Sequence, residues 1–201
     1  MLIYLCSHGC EDINYLCENA QIQMIFKAIQ GKFKIKSGLK YLEDELSKPK
    51  PVSNRKNGIS SIGCIVDMDK FPDPEAFNKL ISDFKLQPNG VKIIGYKKDE
   101  AAHSPFGVQF CTDKDLGWNG TIENGFVSEF VDREYDVLIN YYTEDKLVLN
   151  LLTARTNARI KVGFPSVDSK LNDLIFETPI NSFDVFKNEL KKYLKVLNEI
   201  K

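Results

Sequence analysis

From residue 59 onwards, short apolar runs alternate with segments in which apolar residues recur every three or four positions. Short runs bounded by turn residues predict buried strands, and the recurring spacing predicts helices with one apolar face. Strands are predicted at residues 59–67, 91–96, 108–111, 135–141, 159–164 and 174–177. Helices are predicted from Asp73-Pro74-Glu75, at 126–131, from Thr143 to about Thr156, and at 183–200.

This alternation of strands and helices predicts an α/β fold with a mostly parallel sheet of five to six strands and helices on both faces. Right-handed crossovers make such a sheet doubly wound and Rossmann-like. The strand order should then reverse between strand 59–67 and strand 135–141. Residues 58–201 are therefore predicted to form a single α/β domain.

A basic amphipathic helix is predicted before this domain, starting near Met24, with interruptions near Gly31 and Gly38. Its apolar positions are Phe26, Ile29, Phe33, Ile35, Leu39, Leu42 and Leu46, and it carries five lysines before the first acid at Glu43. We favour a helix that packs its apolar face on the domain. The alternative is contact with an anionic membrane surface or a partner groove through residues 24–48. Prolines and Asn-Gly mark residues 48–58 as a linker, so that 24–57 form helix and linker.

Residues 1–23 differ in composition, with no Lys or Arg and with three of the five cysteines. We expect a poorly ordered extension, or a native protein that starts at Met24. The gaps between Cys6, His8, Cys10 and Cys17 do not suit paired zinc ligands, so no metal site is expected. No secretory signal is recognisable, and we expect a cytoplasmic protein without structural disulfides.

The composition is that of a globular protein: 201 residues, 43% hydrophobic and 27% charged. Lys and Arg number 27 and Asp and Glu 28, so the net charge is 27 − 28 = −1. A near-neutral chain argues against nucleic acid as a partner. No apolar run approaches the roughly 20 residues of a transmembrane segment.

In doubly wound folds, ligands bind beyond the carboxyl ends of the strands. Neither Gly-rich phosphate motif follows a strand, and acidic residues stand at both key helix starts, so nucleotides are not expected and no cofactor is predicted. The ligand-binding candidates at this edge are His103, Asp113, Trp118, Asn119, Asn140 and Thr143. His103 can instead be a solvated loop residue, and Trp118 a cover for the core.

Asp67 and Asp69 directly follow the first strand and are the candidate catalytic residues. Two aspartates at alternate positions can hold Mg²⁺ or act as nucleophile and general acid in phosphoryl transfer. The motif resembles the opening motif of haloacid-dehalogenase-type phosphatases, which implies later acids (Asp168, Asp173) and a lysine (Lys146 or Lys161). Phe71 departs from that motif, and we favour the alternative in which the aspartates are loop and cap residues.

Two further resemblances rest on longer segments. SIGCIVDMDKF, VKIIGYKKD, YDVLINYY and ARIKVGF within residues 34–200 resemble a family of small bacterial proteins of the Bacteroidetes type, a domain of unknown function. Residues 135–164 are similar to the amino-terminal, Rossmann-like half of heptosyltransferase-type glycosyltransferases, which implies fold but no catalysis.

Three functional hypotheses follow. We favour a domain that binds a protein partner or small ligand without catalysis. The alternatives are a Mg²⁺-dependent phosphatase or phosphotransferase using Asp67 and Asp69, with Mg²⁺ as its cofactor, and an accessory protein attached to a membrane surface through residues 24–48.

Overall fold

The computed structural model describes residues 9–49, 58–98 and 107–200, with side chains from Ile22 onwards. Six described strands form one parallel sheet in the order β3-β2-β1-β4-β5-β6. The strands are β1 Ile62–Asp67, β2 Val91–Tyr96, β3 Phe110–Cys111, β4 Glu134–Tyr141, β5 Asn157–Gly163 and β6 Leu174–Ile175. The order reverses between β1 and β4, which confirms the predicted doubly wound, Rossmann-like topology.

The helices are α1 Gly9–Leu46, α2 Lys79–Asp83, α3 Gly125–Val131, α4 Leu147–Arg155 and α5 Phe183–Val196. Every residue of β1 is buried, because both faces of the sheet are covered. One core, containing Phe77, Leu80, Phe186 and Leu190, packs α2 and α5 on one face. A second core, containing Val127, Phe130, Leu149 and Leu152, packs α3 and α4 on the other.

An aromatic cluster fills the first of these cores around Tyr141, the last residue of β4. Five phenylalanine rings meet the Tyr141 ring edge to face, with centroids 4.9–5.7 Å from its own. They are Phe71, Phe77, Phe164, Phe183 and Phe186. The Tyr141 hydroxyl donates a 2.6 Å hydrogen bond to the carbonyl of Ile180. Phe71, which departs from the phosphatase motif, is thus a core residue.

Two helix starts differ from the prediction. Residues Pro74–Asn78 form a 3-10 turn before α2, and the Asp73 side chain makes no capping hydrogen bond. The start of α4 at Thr143 was wrong: Lys146 has an extended backbone and α4 begins at Leu147. Glu144 and Asp145 consequently lie in the loop before α4 and are free to pair with other side chains.

The α1 helix continues through Gly31 and Gly38, so the predicted interruptions were wrong. It begins at Gly9 and includes part of the segment 1–23, which we expected to be a poorly ordered extension. A Cβ on Gly38 would lie 3.4 Å from Leu151 and 3.5 Å from Leu147, so this glycine lets α1 approach α4 closely. Residues 50–57, most of the predicted linker, lie outside the described residues.

From Ile22 onwards, where the side chains of α1 are described, the part that packs on the domain is the carboxyl-terminal one. Tyr41, Leu42 and Leu46 are half-buried against the second core. Phe26, Ile29 and Phe33 are 61%, 45% and 56% exposed. The favoured prediction, a helix that packs its whole apolar face on the domain, was therefore wrong for the amino-terminal half.

At the amino edge of the sheet, Arg159 of β5 ties the end of the chain to the start of the domain. Its guanidinium donates two hydrogen bonds to the Glu199 carboxylate, one of 2.6 Å, and a third of 2.9 Å to the carbonyl of Gly58. The bond from Arg159 lowers the pKa of Glu199 and outweighs the opposing effect of burial. Asp136 nearby accepts from the backbone and hydroxyls of Ser60 and Ser61, and these bonds lower its pKa although burial opposes them.

Candidate functional site

The carboxyl ends of β1 and β4 meet where the strand order reverses, and a buried ion pair lies between them. Asp67, the last residue of β1, is 0% exposed. Its Oδ2 lies 2.6 Å from Lys146 Nζ, which reaches it from the loop after β4. Its Oδ1 accepts a 3.1 Å hydrogen bond from the backbone N–H of Asp69. Both carboxylate oxygens are thus occupied by groups of the protein.

Lys146 makes further contacts that hold it over this edge. Its Nζ lies 3.3 Å from Glu144 and 4.7 Å from the ring centroid of Tyr96, the last residue of β2. Glu144 also accepts from Lys70 at 2.5 Å. Burial opposes the charged form of Lys146, but hydrogen bonds and charge from Asp67 and Glu144 outweigh it and raise its pKa. We call Asp67, Lys70, Glu144 and Lys146 the switch-point ion cluster.

Asp69 and Asp113 flank this cluster. Asp69 is exposed and accepts a 2.9 Å hydrogen bond from the backbone N–H of Lys98, which follows β2. Asp113 is bonded to the buried side chain of Tyr96. Burial raises the pKa of the Tyr96 hydroxyl, and the carboxylates of Asp113, Asp67 and Asp69 raise it further. Tyr96 therefore stays protonated and acts as a donor.

The phosphatase resemblance implied a lysine and later acidic residues near Asp67, and the structure shows where several of these side chains lie. The fold brings Lys146 to Asp67, as the resemblance implied for the lysine. Lys161, the other candidate, donates instead to the carbonyl of Thr153 at 2.6 Å. Asp168 accepts from the N–H of Lys170 in a local turn. Within residues 22–49, 58–98 and 107–200, no three His, Cys, Asp or Glu side chains are grouped so as to hold a metal ion.

Asn140, another candidate, lies inside the sheet and not at an open edge. It is 1% exposed, donates to Asn172 at 2.7 Å, and accepts from the hydroxyl of Thr153 at 2.9 Å. The Thr153 hydroxyl lies 2.7 Å from that of Tyr142. These bonds account for Asn140 as part of a buried polar network between β4 and α4.

Trp118 and Asn119 lie in the loop that holds α1. The N–H of Asn119 donates to the hydroxyl of Ser37 in α1 at 3.1 Å. Arg155 donates to the carbonyls of Asn119 and Gly120 at 2.9 and 2.7 Å and lies 4.4 Å from the ring centroid of Tyr41. Trp118 is 48% exposed and does not cover the core. These contacts connect Asn119 with α1 and not with Asp67; His103 lies outside the described residues.

Thr143 lines a cavity of about 290 Å³ beside the ion cluster. The walls come from the segments after β4, β5 and β6, and they combine the Phe164 ring with the side chains of Ser166, Glu177 and Thr178. The Thr178 hydroxyl oxygen is buried and has no hydrogen-bond partner among the described residues. A pocket of this kind can accept a small molecule that offers a hydrogen-bonding group and an apolar surface.

The sequence analysis did not predict that Tyr96 and Glu144 contribute to this site. Tyr96 ends a predicted strand next to β1, and that position alone would have put it at the same edge as Asp67. Glu144 was interpreted as part of a helix start, because α4 was predicted to begin too early.

The strand order and the location of the ion cluster define the class of protein: a Rossmann-like α/β domain with its candidate site at the switch point. The chain matches the Family of unknown function (DUF6913) over residues 34–197 and belongs to that family. This confirms the resemblance seen in the strand sequences. No curated protein and no solved structure matches the chain. The likeness of residues 135–164 to heptosyltransferase-type enzymes therefore finds no support here.

Within the described part of the chain, no helix has both the length and the apolar character that crossing a membrane requires.

Proposed function

We propose that this protein is a non-catalytic α/β domain that binds a protein partner or a small ligand at the carboxyl edge of its sheet. One observation carries the proposal: the Asp67 carboxylate is fully buried and both of its oxygens are bonded within the protein. A nucleophile or metal ligand must reach its substrate or ion, and this carboxylate reaches neither without breaking its bond to Lys146.

The cavity beside Thr143 supports a small ligand as the occupant of this edge. It lies at the carboxyl ends of β4, β5 and β6, the place where doubly wound folds bind their ligands. The Ser166 side chain in its lining offers an accessible hydrogen-bonding group, and the Phe164 ring offers an apolar surface. A neutral, hydroxyl-bearing molecule suits this lining better than a phosphate, because the Glu177 carboxylate would repel an anion.

The second candidate is a Mg²⁺-dependent phosphatase or phosphotransferase with Asp67 and Asp69. The 2.6 Å contact of Lys146 with Asp67 favours it, since a lysine beside the first aspartate is what the phosphatase resemblance implied. In this alternative, substrate binding would have to draw Lys146 away from Asp67 and expose the carboxylate.

A thermal-shift panel on the full chain separates these functions. The probes are Mg²⁺, phosphate esters, nucleotides, nucleotide sugars and neutral sugars. A ligand at about 100 times its dissociation constant stabilises by about 2.7 kcal/mol, or roughly 5–10 °C for a chain of this size. We expect no Mg²⁺-dependent shift, and a shift with a neutral ligand that Ser166→Ala reduces.

The matched variants are Asp67→Asn and Asp132→Asn, the latter an exposed residue between α3 and β4, at the opposite edge of the sheet. A Mg²⁺-dependent shift with phosphate esters that Asp67→Asn alone removes would overturn the non-catalytic proposal. A flat panel would exclude the tested ligands and leave a protein partner as the occupant.

A further inference from the structure

The amino-terminal half of α1 presents an apolar stripe to solvent. The stripe consists of Ile22, Ile25, Phe26, Ile29 and Phe33. Their exposed fractions are 49%, 58%, 61%, 45% and 56% in that order. The spacing of 22, 26, 29 and 33 places them along one face over about three turns of helix. Five large apolar side chains in one exposed row form a surface that commonly marks an interaction site.

The stripe points away from the domain. An α-helix turns about 100° per residue around its axis. Viewed down that axis, Gly38 lies about 140° from Phe33, and Leu42 lies about 180° from Phe33. Gly38 lies against α4 and Leu42 packs on the second core. Within residues 58–98 and 107–200, the domain therefore leaves this face of α1 open to a broad surface.

The charge of the segment restricts the occupant. Residues 22–42 contain five lysines and no Asp or Glu, a charge of +5. Since the whole chain carries −1, the rest carries −1 − 5 = −6. Lys34 bonds to Glu123 of the domain at 3.4 Å, but Lys27, Lys32, Lys36 and Lys40 are exposed. An anionic surface would attract this segment and repel the acidic residues on either side of it in α1, which are Glu11, Asp12, Glu18, Glu43, Asp44 and Glu45, as well as those of the domain.

We propose that the apolar stripe of α1 docks on an anionic membrane surface, with the helix lying in the plane of the headgroups. The stripe would enter the boundary between headgroups and acyl chains, as amphipathic interfacial helices do. Lys32 and Lys36 lie beside the stripe, and their long stems allow the ammonium groups to reach lipid phosphates. This proposal concerns a different surface from the carboxyl edge and does not depend on the ligand proposed there.

The same charges disfavour a second copy of the chain on this stripe. Two stripes packed face to face would bring two +5 segments together, and like charges at close range oppose association. In a narrow protein groove, Lys36 and Lys40 would lie on or beside the buried face and would each need an acidic partner. A lipid surface supplies anions at every position along the helix.

The test is cosedimentation of the full chain with vesicles. The vesicles contain phosphatidylcholine alone, or phosphatidylcholine and phosphatidylglycerol at a ratio of roughly 3:1. We expect binding to the anionic vesicles that weakens with salt. Phe26→Ser with Phe33→Ser should lower the partition coefficient roughly 100-fold. Lys32→Gln with Lys36→Gln should lower it roughly 25-fold, at about fivefold for each charge.

Phe126→Ser is the matched control, because Phe126 is 54% exposed on α3 and is not part of the stripe on α1. It should bind as the parent chain does. The unfolding midpoint of each variant is measured alongside, and it should stay unchanged since the replaced side chains are exposed.

Three results would overturn the proposal: no binding of the intact chain to anionic vesicles, equal binding by the Phe26/Phe33 variant, or an equal loss in the Phe126 control. Concentration-dependent dimerisation that the Phe26/Phe33 variant abolishes, without vesicle binding, would assign the stripe to a second copy.

Discussion

Replacing Lys146 by Met leaves the Asp67 carboxylate buried without its cation. Met keeps most of the apolar volume of the lysine stem, so the change removes the charge and little packing. The variant therefore asks how strongly the fold depends on the ion pair at the switch point. Because the pKa of Lys146 is raised, the lysine is charged, and the pair intact, at neutral pH.

The structure sets the size of the effect. Asp67 is 0% exposed, and within the described residues Lys146 is the hydrogen-bond donor to its Oδ2. The Lys146 side chain, by contrast, is 19% exposed and lies 3.3 Å from Glu144. Breaking a buried pair by removing one partner destabilises by about 3–5 kcal/mol. We expect Lys146→Met to approach that value and Asp67→Asn to cost only about 1–2 kcal/mol, because Lys146 retains Glu144 and water.

Urea denaturation at pH 7 measures both variants and the double variant Asp67→Asn/Lys146→Met. The free energy of unfolding should fall more in Lys146→Met than in Asp67→Asn, with no change in the denaturant slope. The double variant should be more stable than Lys146→Met alone, since no uncompensated carboxylate remains, and the coupling energy should be about 2 kcal/mol.

A loss of less than about 1 kcal/mol in Lys146→Met would refute the reasoning. It would mean that the Asp67 carboxylate reaches solvent easily. The non-catalytic proposal would then lose its main support, because an accessible aspartate at this position is what a nucleophile requires.

Two further predictions concern the sheet. Gly163→Ala should destabilise by about 2–4 kcal/mol in urea denaturation, because its Cβ would lie 2.6–2.7 Å from the Asn172 amide, which is bonded to Asn140. Glu199→Gln should make the loss of stability below pH 4.5 less steep. Arg159 lowers the pKa of Glu199 in the folded protein, so the ion pair contributes fully to stability above the ordinary pKa of 4.5. That contribution is lost as the pH falls through the folded-state pKa, and the glutamine variant lacks it at every pH.

Each of these predictions has a control in the chain. A Cβ on Gly31 of α1 would meet no atom within 4 Å, so Gly31→Ala should be neutral or stabilising by up to about 1 kcal/mol. An equal loss from Gly31→Ala and Gly163→Ala would contradict the packing argument. For Glu199→Gln, an acid transition identical to that of the parent chain would show that other carboxylates, such as Asp136, dominate it.

The strands and their order could be predicted because each buried strand has a short apolar run of its own. β2 was predicted to the residue, and the reversal between β1 and β4 followed from the handedness of crossovers. Helix starts were less predictable. Thr143 has the side chain of an N-cap, but the pairing of Glu144 and Lys146 with residues distant in the chain keeps this loop extended until Leu147.

The candidate site was predictable in its location but not in its pairing. That Asp67 ends β1 at the switch point follows from strand order. That its carboxylate is closed off by Lys146 depends on the path of a loop after β4, which no local spacing encodes. Asn119 shows the same limit, since its contact with Ser37 joins residues 82 positions apart. The exposure of the stripe on α1 likewise follows from where the helix meets the domain.

The short helix α4 connects these observations. Lys146 directly precedes it and pairs with Asp67, and Arg155 ends it and holds the loop that docks α1. Between them, buried side chains such as Leu149 and Leu152 fix α4 against the sheet. The nine residues span about 14 Å, so one packed element positions both the ion cluster and the base of α1. Because α1 contacts α4 through Gly38 and Tyr41, α4 also determines where the exposed stripe leaves the domain.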